Sequence, residues 1–305
     1  MMQPLISRAA LVRGAILAPL LLQVGRPARA AAGVAQTELP DVTTSLGDSP
    51  SLQPPVLVIG ATGGIGSQVV AHLLQRGVPV RAMIRSEAKL PEAARTSSLL
   101  KPVVVGSVLD LNSDQLAKIM QGCGAVVSCL GHDINHMWAE PKMLCRDTSR
   151  LVYDAARYSQ SSTPLRYVTV STTGVDSPDG SDRPQGVLES WILSALEAFL
   201  PPVSDNVENA KFLAKQRQRQ QGSIEFAAVR PDDLVDGPAS AYVTYRDRPM
   251  GLFDARVATR ANVGAFMAEL ATDEDAWKRW RNSYPVVIDK IQPADRPPAP
   301  EGWVA

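Results

Sequence analysis

The stretch Val56 to Val70, VLVIGATGGIGSQVV, concentrates residues that could do chemistry. An apolar run stops at Gly60, and Gly60, Gly63, Gly64 and Gly66 fall close together before a helical pattern begins. Each glycine has a physical use there. A tight turn needs positive φ, a bare backbone lets an anion approach, and a glycine inside the helix lets it pack against the strand. The helix start then presents free N–H groups and the positive end of its dipole, with Thr62 and Ile65 completing the loop. No Lys-Ser/Thr pair follows, so the loop is not a P-loop. In a strand-loop-helix context, Gly-x-x-Gly-x-x-Gly predicts a dinucleotide-binding turn.

A second position refines that reading. An acid about 20 residues on, near the end of the second strand, normally holds the ribose hydroxyls of NAD. Here the strand ends Met83-Ile84-Arg85-Ser86, and a guanidinium suits a 2′-phosphate. NADP is therefore expected ahead of NAD. Beyond the fourth strand, His132 and His136 lie four apart. As metal ligands they lack a third partner, so no metal is expected; His132 reads either as a loop histidine with no chemistry or, if it does chemistry, as a proton donor to substrate. At a predicted helix start, Ser204 or Asp205 would make an N-cap, with Asn206 beside it.

These groups need a frame. Buried strands are expected at 56–59, 78–84, 102–105, 125–130, 166–171, 224–230 and 285–288. Helical spacing runs from Ile65 through Val69 and Leu73 to Gly77, then over 112–120 with Asn112 as cap, 143–158, 187–200, 206–221 and 262–270. The alternation predicts right-handed βαβ units: an α/β, doubly wound parallel sheet with helices on both faces and a small C-terminal substrate region. Val263, Phe266, Met267 and Leu270 form a core-facing stripe, and Trp277, Trp280 and Tyr284 are expected to cover the sheet end or roof a pocket.

Composition sets the outer bounds. The chain has 305 residues, 45% hydrophobic and 20% charged, with a formal net charge of +0. A zero balance argues against a polyanion-binding surface, and 5% aromatics against stacking platforms for single strands, so no nucleic acid is expected. The basic run Lys211 to Arg219 reads as a solvated helix face. Three cysteines, Cys123, Cys129 and Cys145, suggest thiols in a reducing compartment. Residues 1–37 carry arginines and no acid. The apolar Ala15 to Val24 is shorter than the ~20 residues of a membrane span. Two readings stay open. One is a secreted or periplasmic protein with its signal-peptide cleavage site at Ala28-Arg29-Ala30; the other is an organellar transit peptide. Scarcity of NADP outside cells favours an organelle, plastid ahead of mitochondrion. Residues 38–55 read as a linker, 56–290 as the folded domain and 291–305 as a Pro-rich tail.

With Gly60 to Gly66, Arg85 and Val229-Arg230-Pro231 in hand, the chain resembles the atypical short-chain dehydrogenase/reductases, nearest the NmrA-like, NAD(P)H-binding branch. The resemblance covers about residues 55 to 290. It implies a Rossmann domain in which Thr62 to Gly66 hold phosphates, Arg85 meets the 2′-phosphate, and Leu130 and Gly131 line the ribose side. Ser171, with Thr172, stands at the catalytic serine position, and Arg230 and Pro231 close over the nicotinamide. It also implies an active-site role for Asp205 or Asn206. Ser107 stands where the family often has Asp against the adenine. The larger departure is catalytic: none of the six tyrosines is followed four residues on by Lys, whereas the standard pair uses Lys to lower the Tyr pKa. The expected function is NADP-dependent oxidation or reduction of a small carbonyl or enone substrate with another proton donor. The alternative is a non-catalytic NADP(H) sensor or assembly factor that binds a protein partner. A sugar-nucleotide epimerase is a weaker third reading.

Overall fold

The computed structural model describes residues 53–132, 136–158, 163–184, 186–219, 223–251, 254 and 256–291. The segment 1–37, nearly all of the linker and nearly all of the tail lie outside them, as do the readings placed there. Among the described residues, no helix is long and apolar enough to cross a membrane.

The chain alternates as expected: β1 Val56–Ile59, α1 Gly64–Gln75, β2 Val80–Ile84, a short α2 Glu92–Arg95, β3 Leu100–Val104, α3 Ser113–Met120, β4 Ala125–Ser128, α4 Leu144–Ala156 and β5 Leu165–Val170. Two adjoining helices follow, α5 Val187–Phe199 and α6 Pro201–Gln218, then β6 Ile224–Pro231. The C-terminal part adds β7 Asp233–Val235, β8 Tyr242–Tyr245, β9 Val257–Thr259, α7 Arg260–Thr272, α8 Glu274–Trp280 and β10 Val286–Asp289. The main sheet runs β3-β2-β1-β4-β5-β6-β10-β8; its strands pair in parallel except the antiparallel edge β10–β8. Strand order therefore reverses between β1 and β4, and ligands bind beyond the carboxyl ends of strands at such a reversal.

Both faces of the sheet are covered. On β1, Val56 and Val58 join a core with Ile65, Val69 and Leu73 of α1 and with α7, while Leu57 and Ile59 join the opposite core with α3, α4 and α6. That is the two-residue period of a strand buried on both sides. Val263, Phe266, Met267 and Leu270 are buried as their spacing predicts. Trp277, Trp280 and Tyr284 are core residues as well, and Trp277 donates to Glu225 Oε2 at 3.0 Å. Asn112 caps α3 in a full capping box with Gln115.

One helix and three strands depart from the sequence pattern. The helix expected to start at residue 206 starts at Pro201, where a proline at the first helical position costs no hydrogen bond. Strands β7, β8 and β9 are too short, at three or four residues, to show a period.

Helix α7 crosses α1 at Gly264, where an added Cβ would lie 2.5 Å from Gln68 Cβ and 3.0 Å from the Val69 backbone nitrogen. Both helices would have to separate to admit a side chain. Gly264→Val is expected to cost about 1–3 kcal/mol, visible as a lowered urea midpoint with an unchanged m-value.

Candidate active site

The loop after β1 is built around one close approach. Gly60 has φ +78°, and a Cβ on Gly66 would lie 2.0 Å from the Gly60 carbonyl oxygen. Gly63 occupies the N-cap of α1, yet no side chain caps this helix and no acid stands in its first turn. By contrast, Asn112, Thr259 and Asp273 cap α3, α7 and α8 through their side chains. The first-turn N–H groups of α1, with the positive end of its dipole, are left for an external acceptor.

This helix end opens into a cavity of about 490 Å³ at the strand reversal. Gly60, Thr62, Gly63, Arg85, Ser107, Leu130, Gly131 and His132 line it. Arg85 follows the last residue of β2 and is exposed. Ser107 uses its hydroxyl to accept from Leu109 N–H at 3.3 Å, which shapes the turn after β3.

A second cavity of about 310 Å³ adjoins the first. The two share Gly63 and the segment Cys129 to His132, and the second adds Gly64, Ile65, Ser171, Thr172, Asn206 and Pro231. Thr172 Oγ1 accepts from Gly174 N–H at 3.1 Å, which turns the chain directly after β5. Asn206 Nδ2 donates to the Pro202 carbonyl at 2.8 Å.

His132 stands at the junction of the cavities, its side chain 6% exposed, with Nε2 2.8 Å from Asp205 Oδ2. Asp205 is not the N-cap of its own helix. It lies within α6, fully buried, and accepts from the backbone N–H groups of Cys145 and Arg146 at 2.8 and 3.0 Å. It thus caps α4 from a distance while holding the imidazole. This pairing joins residues 73 apart, so nothing in local spacing could reveal it. His136 lines the first cavity, and no group of three His, Cys, Asp or Glu residues that could hold a metal ion converges among the described residues.

Arg230 is a correction. Its guanidinium does not close over a ligand: the residue is 0% exposed and pairs with Asp182 through both terminal nitrogens, at 2.5 and 3.0 Å. It also donates to the carbonyls of Tyr284 and Val175. Asp182 in turn accepts from Ser177 and Arg248 N–H groups at 2.7 Å. Arg230 therefore staples the 175–182 segment to the sheet, while its neighbour Pro231 lines the second cavity.

The other nucleophile types are silent. Burial pushes the Cys129 thiol up to about 12, and pushes Cys145 well above its ordinary value, helped by the Asp205 charge. Neither is a thiolate at neutral pH. No tyrosine lines either cavity, and burial raises Tyr167 to about 12.

A family model described as NAD(P)H-binding matches residues 60–274, from the first glycine of the loop to the start of α8. The chain belongs to the NAD(P)H-binding family. The resemblance to atypical short-chain dehydrogenase/reductases holds. Among solved structures, the chain is similar to the oxidoreductase ylbE of Lactococcus lactis, at 14% identity and TM-score 0.55, over 77% of this chain and 90% of that one. It is likewise similar to ChuY, an anaerobillin reductase from Escherichia coli O157:H7, at 21% identity and TM-score 0.54, over 80% and 99%. At such identities the likeness is one of fold. A Synechocystis sp. protein bearing the name dihydroflavonol 4-reductase is 35% identical over 75 residues, which span 25% of this chain and 20% of that relative.

The residues present fit a nicotinamide dinucleotide. The uncapped α1 terminus, the bare backbone at Gly63 and Gly64, and the contact that only glycine permits at residue 66 form a cradle for a pyrophosphate.

The Arg230–Asp182 pair makes an acid prediction. Burial alone would raise the Asp182 carboxyl, but hydrogen bonds and charge from Arg230, with two backbone N–H groups, hold it below the ordinary value. A lowered folded pKa adds stability that is complete above the unfolded value, about 3.9, and is lost as pH falls through the folded one. Asp182→Asn is expected to cost about 3–5 kcal/mol at pH 7 and to flatten the loss of stability below about pH 4 in urea titrations.

Proposed function

We propose that this protein is an NADP-dependent oxidoreductase that reduces a small carbonyl or enone compound, with His132 as its proton donor. The observation that carries the reading is the His132–Asp205 pair, 2.8 Å apart and buried where the two cavities meet. A dinucleotide running from Arg85 past the α1 terminus would bring its reactive end to this junction.

The bound cofactor would supply the hydride equivalent. The protein supplies the rest. Ser171, whose backbone N–H is bonded to Val229 O at 2.7 Å, sits rigidly at the end of β5. Its hydroxyl and that of Thr172 would hold the substrate oxygen. With Nε2–H donated to the Asp205 carboxylate, Nδ1 is the nitrogen left to exchange a proton. The imidazolium form would pass that proton to the developing alkoxide, or to the α-carbon of an enone. Asp205 accepts three donors, and that fixes the ring orientation. Asn206, on the next residue of α6, faces the same cavity.

The second reading, a cofactor-binding sensor without turnover, rests on a specific observation: neither cavity has a tyrosine to replace the missing Tyr-x-x-x-Lys pair. Under that reading the His132–Asp205 contact only closes the loop onto α6.

Two measurements separate these readings. In titration calorimetry, Arg85→Ala is expected to weaken NADPH binding about 10- to 100-fold, by loss of a charge-assisted phosphate contact, and to leave NADH nearly unchanged. Equal loss for both would remove the 2′-phosphate assignment. His132→Gln is expected to keep NADPH affinity within about twofold while lowering carbonyl reduction by about 10²–10⁴. An unchanged rate in His132→Gln would favour a different proton donor.

A further inference from the structure

The second cavity has a chemical character that its catalytic end does not explain. Its far wall is hydrocarbon: Leu193 and Leu196 from α5, Val203 from α6 and Leu234 from β7. Among the described residues that line it, none is Lys or Arg. Its polar groups are mostly spent on the protein itself. Asp232 accepts from Thr173 Oγ1 at 2.5 Å and from Arg256 N–H at 2.7 Å. Asn206 is bonded to Pro202. Polar capacity is thus concentrated at the Ser171 and His132 end. A substrate carboxylate or phosphate lodged against α5 would be desolvated without a counter-ion, which is heavily unfavourable.

We propose that the substrate is an uncharged, apolar carbonyl compound, its oxygen at Ser171 and His132 and its hydrocarbon body packed against Leu193 and Leu196 of α5. This rests on the oxidoreductase reading for the role of the oxygen, but the binding claim is separable from turnover. It disfavours sugar nucleotides and oxo acids whose carboxylate lies at the end remote from the carbonyl as substrates at this site. Helix α5 carries apolar side chains on two sides, interrupted by Glu189 and Glu197. Leu193 and Leu196 point into the cavity, while Val187, Trp191 and Phe199 are 78%, 74% and 72% exposed on its outer side. Side chains on the inner face can therefore be changed separately from those outside.

The test is titration calorimetry of the full chain, with and without saturating NADP⁺, using 2-alkanones from six to twelve carbons and methyl ketones of matching length that end in a carboxylate at the far end of the chain. Affinity for the ketones is expected to rise about fourfold per added methylene until the cavity is filled, with the carboxylates at least about tenfold weaker. Leu196→Asp is expected to abolish the length dependence while NADP⁺ affinity stays within about twofold. Trp191→Ser should leave both unchanged. If Leu196→Asp fails to fold, Leu193→Ser serves, with a reduced slope. Affinity that is flat with chain length, or carboxylates that bind as tightly as ketones, would overturn the proposal. Length-dependent binding without turnover of any ketone would uphold this inference and count against the catalytic reading alone.

Discussion

A Cβ on Gly66 would lie 2.0 Å from the carbonyl oxygen of Gly60, so α1 can start where it does only because residue 66 has no side chain. That contact sets the height of the helix over β1 and turns its uncapped end toward the strand reversal. Everything nearby is referred to it. Gly264 repeats the device on the far side of α1, letting α7 close the layer without pushing the helix off the sheet. The cradle is thus held from two directions by backbone contacts, and its N–H groups stay unused because no side chain reaches them.

Around that cradle, buried carboxylates fix the loops at the strand ends. Asp205 ties His132 to α6 and caps α4. Asp182, paired with Arg230, holds the segment after β5. Asp232 joins Thr173 to the backbone of Arg256. Asp289 accepts from Thr259 N–H and from Asn262, seating α7 against β10. Each of these acids accepts several donors, which is what makes a buried charge tolerable. The arrangement places Ser171 and His132 on rigid ground while leaving the cavity between them lined by aliphatic groups, a low-dielectric setting in which a single proton donor counts for more.

Much of this was legible in the chain. The glycine spacing, the β1 run and the four-residue recurrence in α1 are local patterns, and local patterns predict local structure. The buried stripe of α7 was legible for the same reason, as was the Asn112 cap. What escaped were relations between distant segments. Asp205 looked like the cap of its own helix because the pattern begins near it; Pro201 and Pro202 in fact start that helix a turn earlier. Arg230 sits beside a cavity-lining proline, and a one-dimensional reading cannot tell a guanidinium facing a ligand from one facing Asp182 across 48 residues. The short strands β7 to β9 carry too few residues to show a period.

The proposed function requires one bound dinucleotide to run from the α1 terminus to the His132–Asp205 pair. A crystal structure of the protein with NADP⁺ tests it most directly. The pyrophosphate is expected on the backbone N–H groups of Gly64 to Gly66, and the nicotinamide at the junction of the two cavities, facing Ser171 and His132. A nicotinamide turned away from that junction, or a dinucleotide bound elsewhere on the surface, would contradict it.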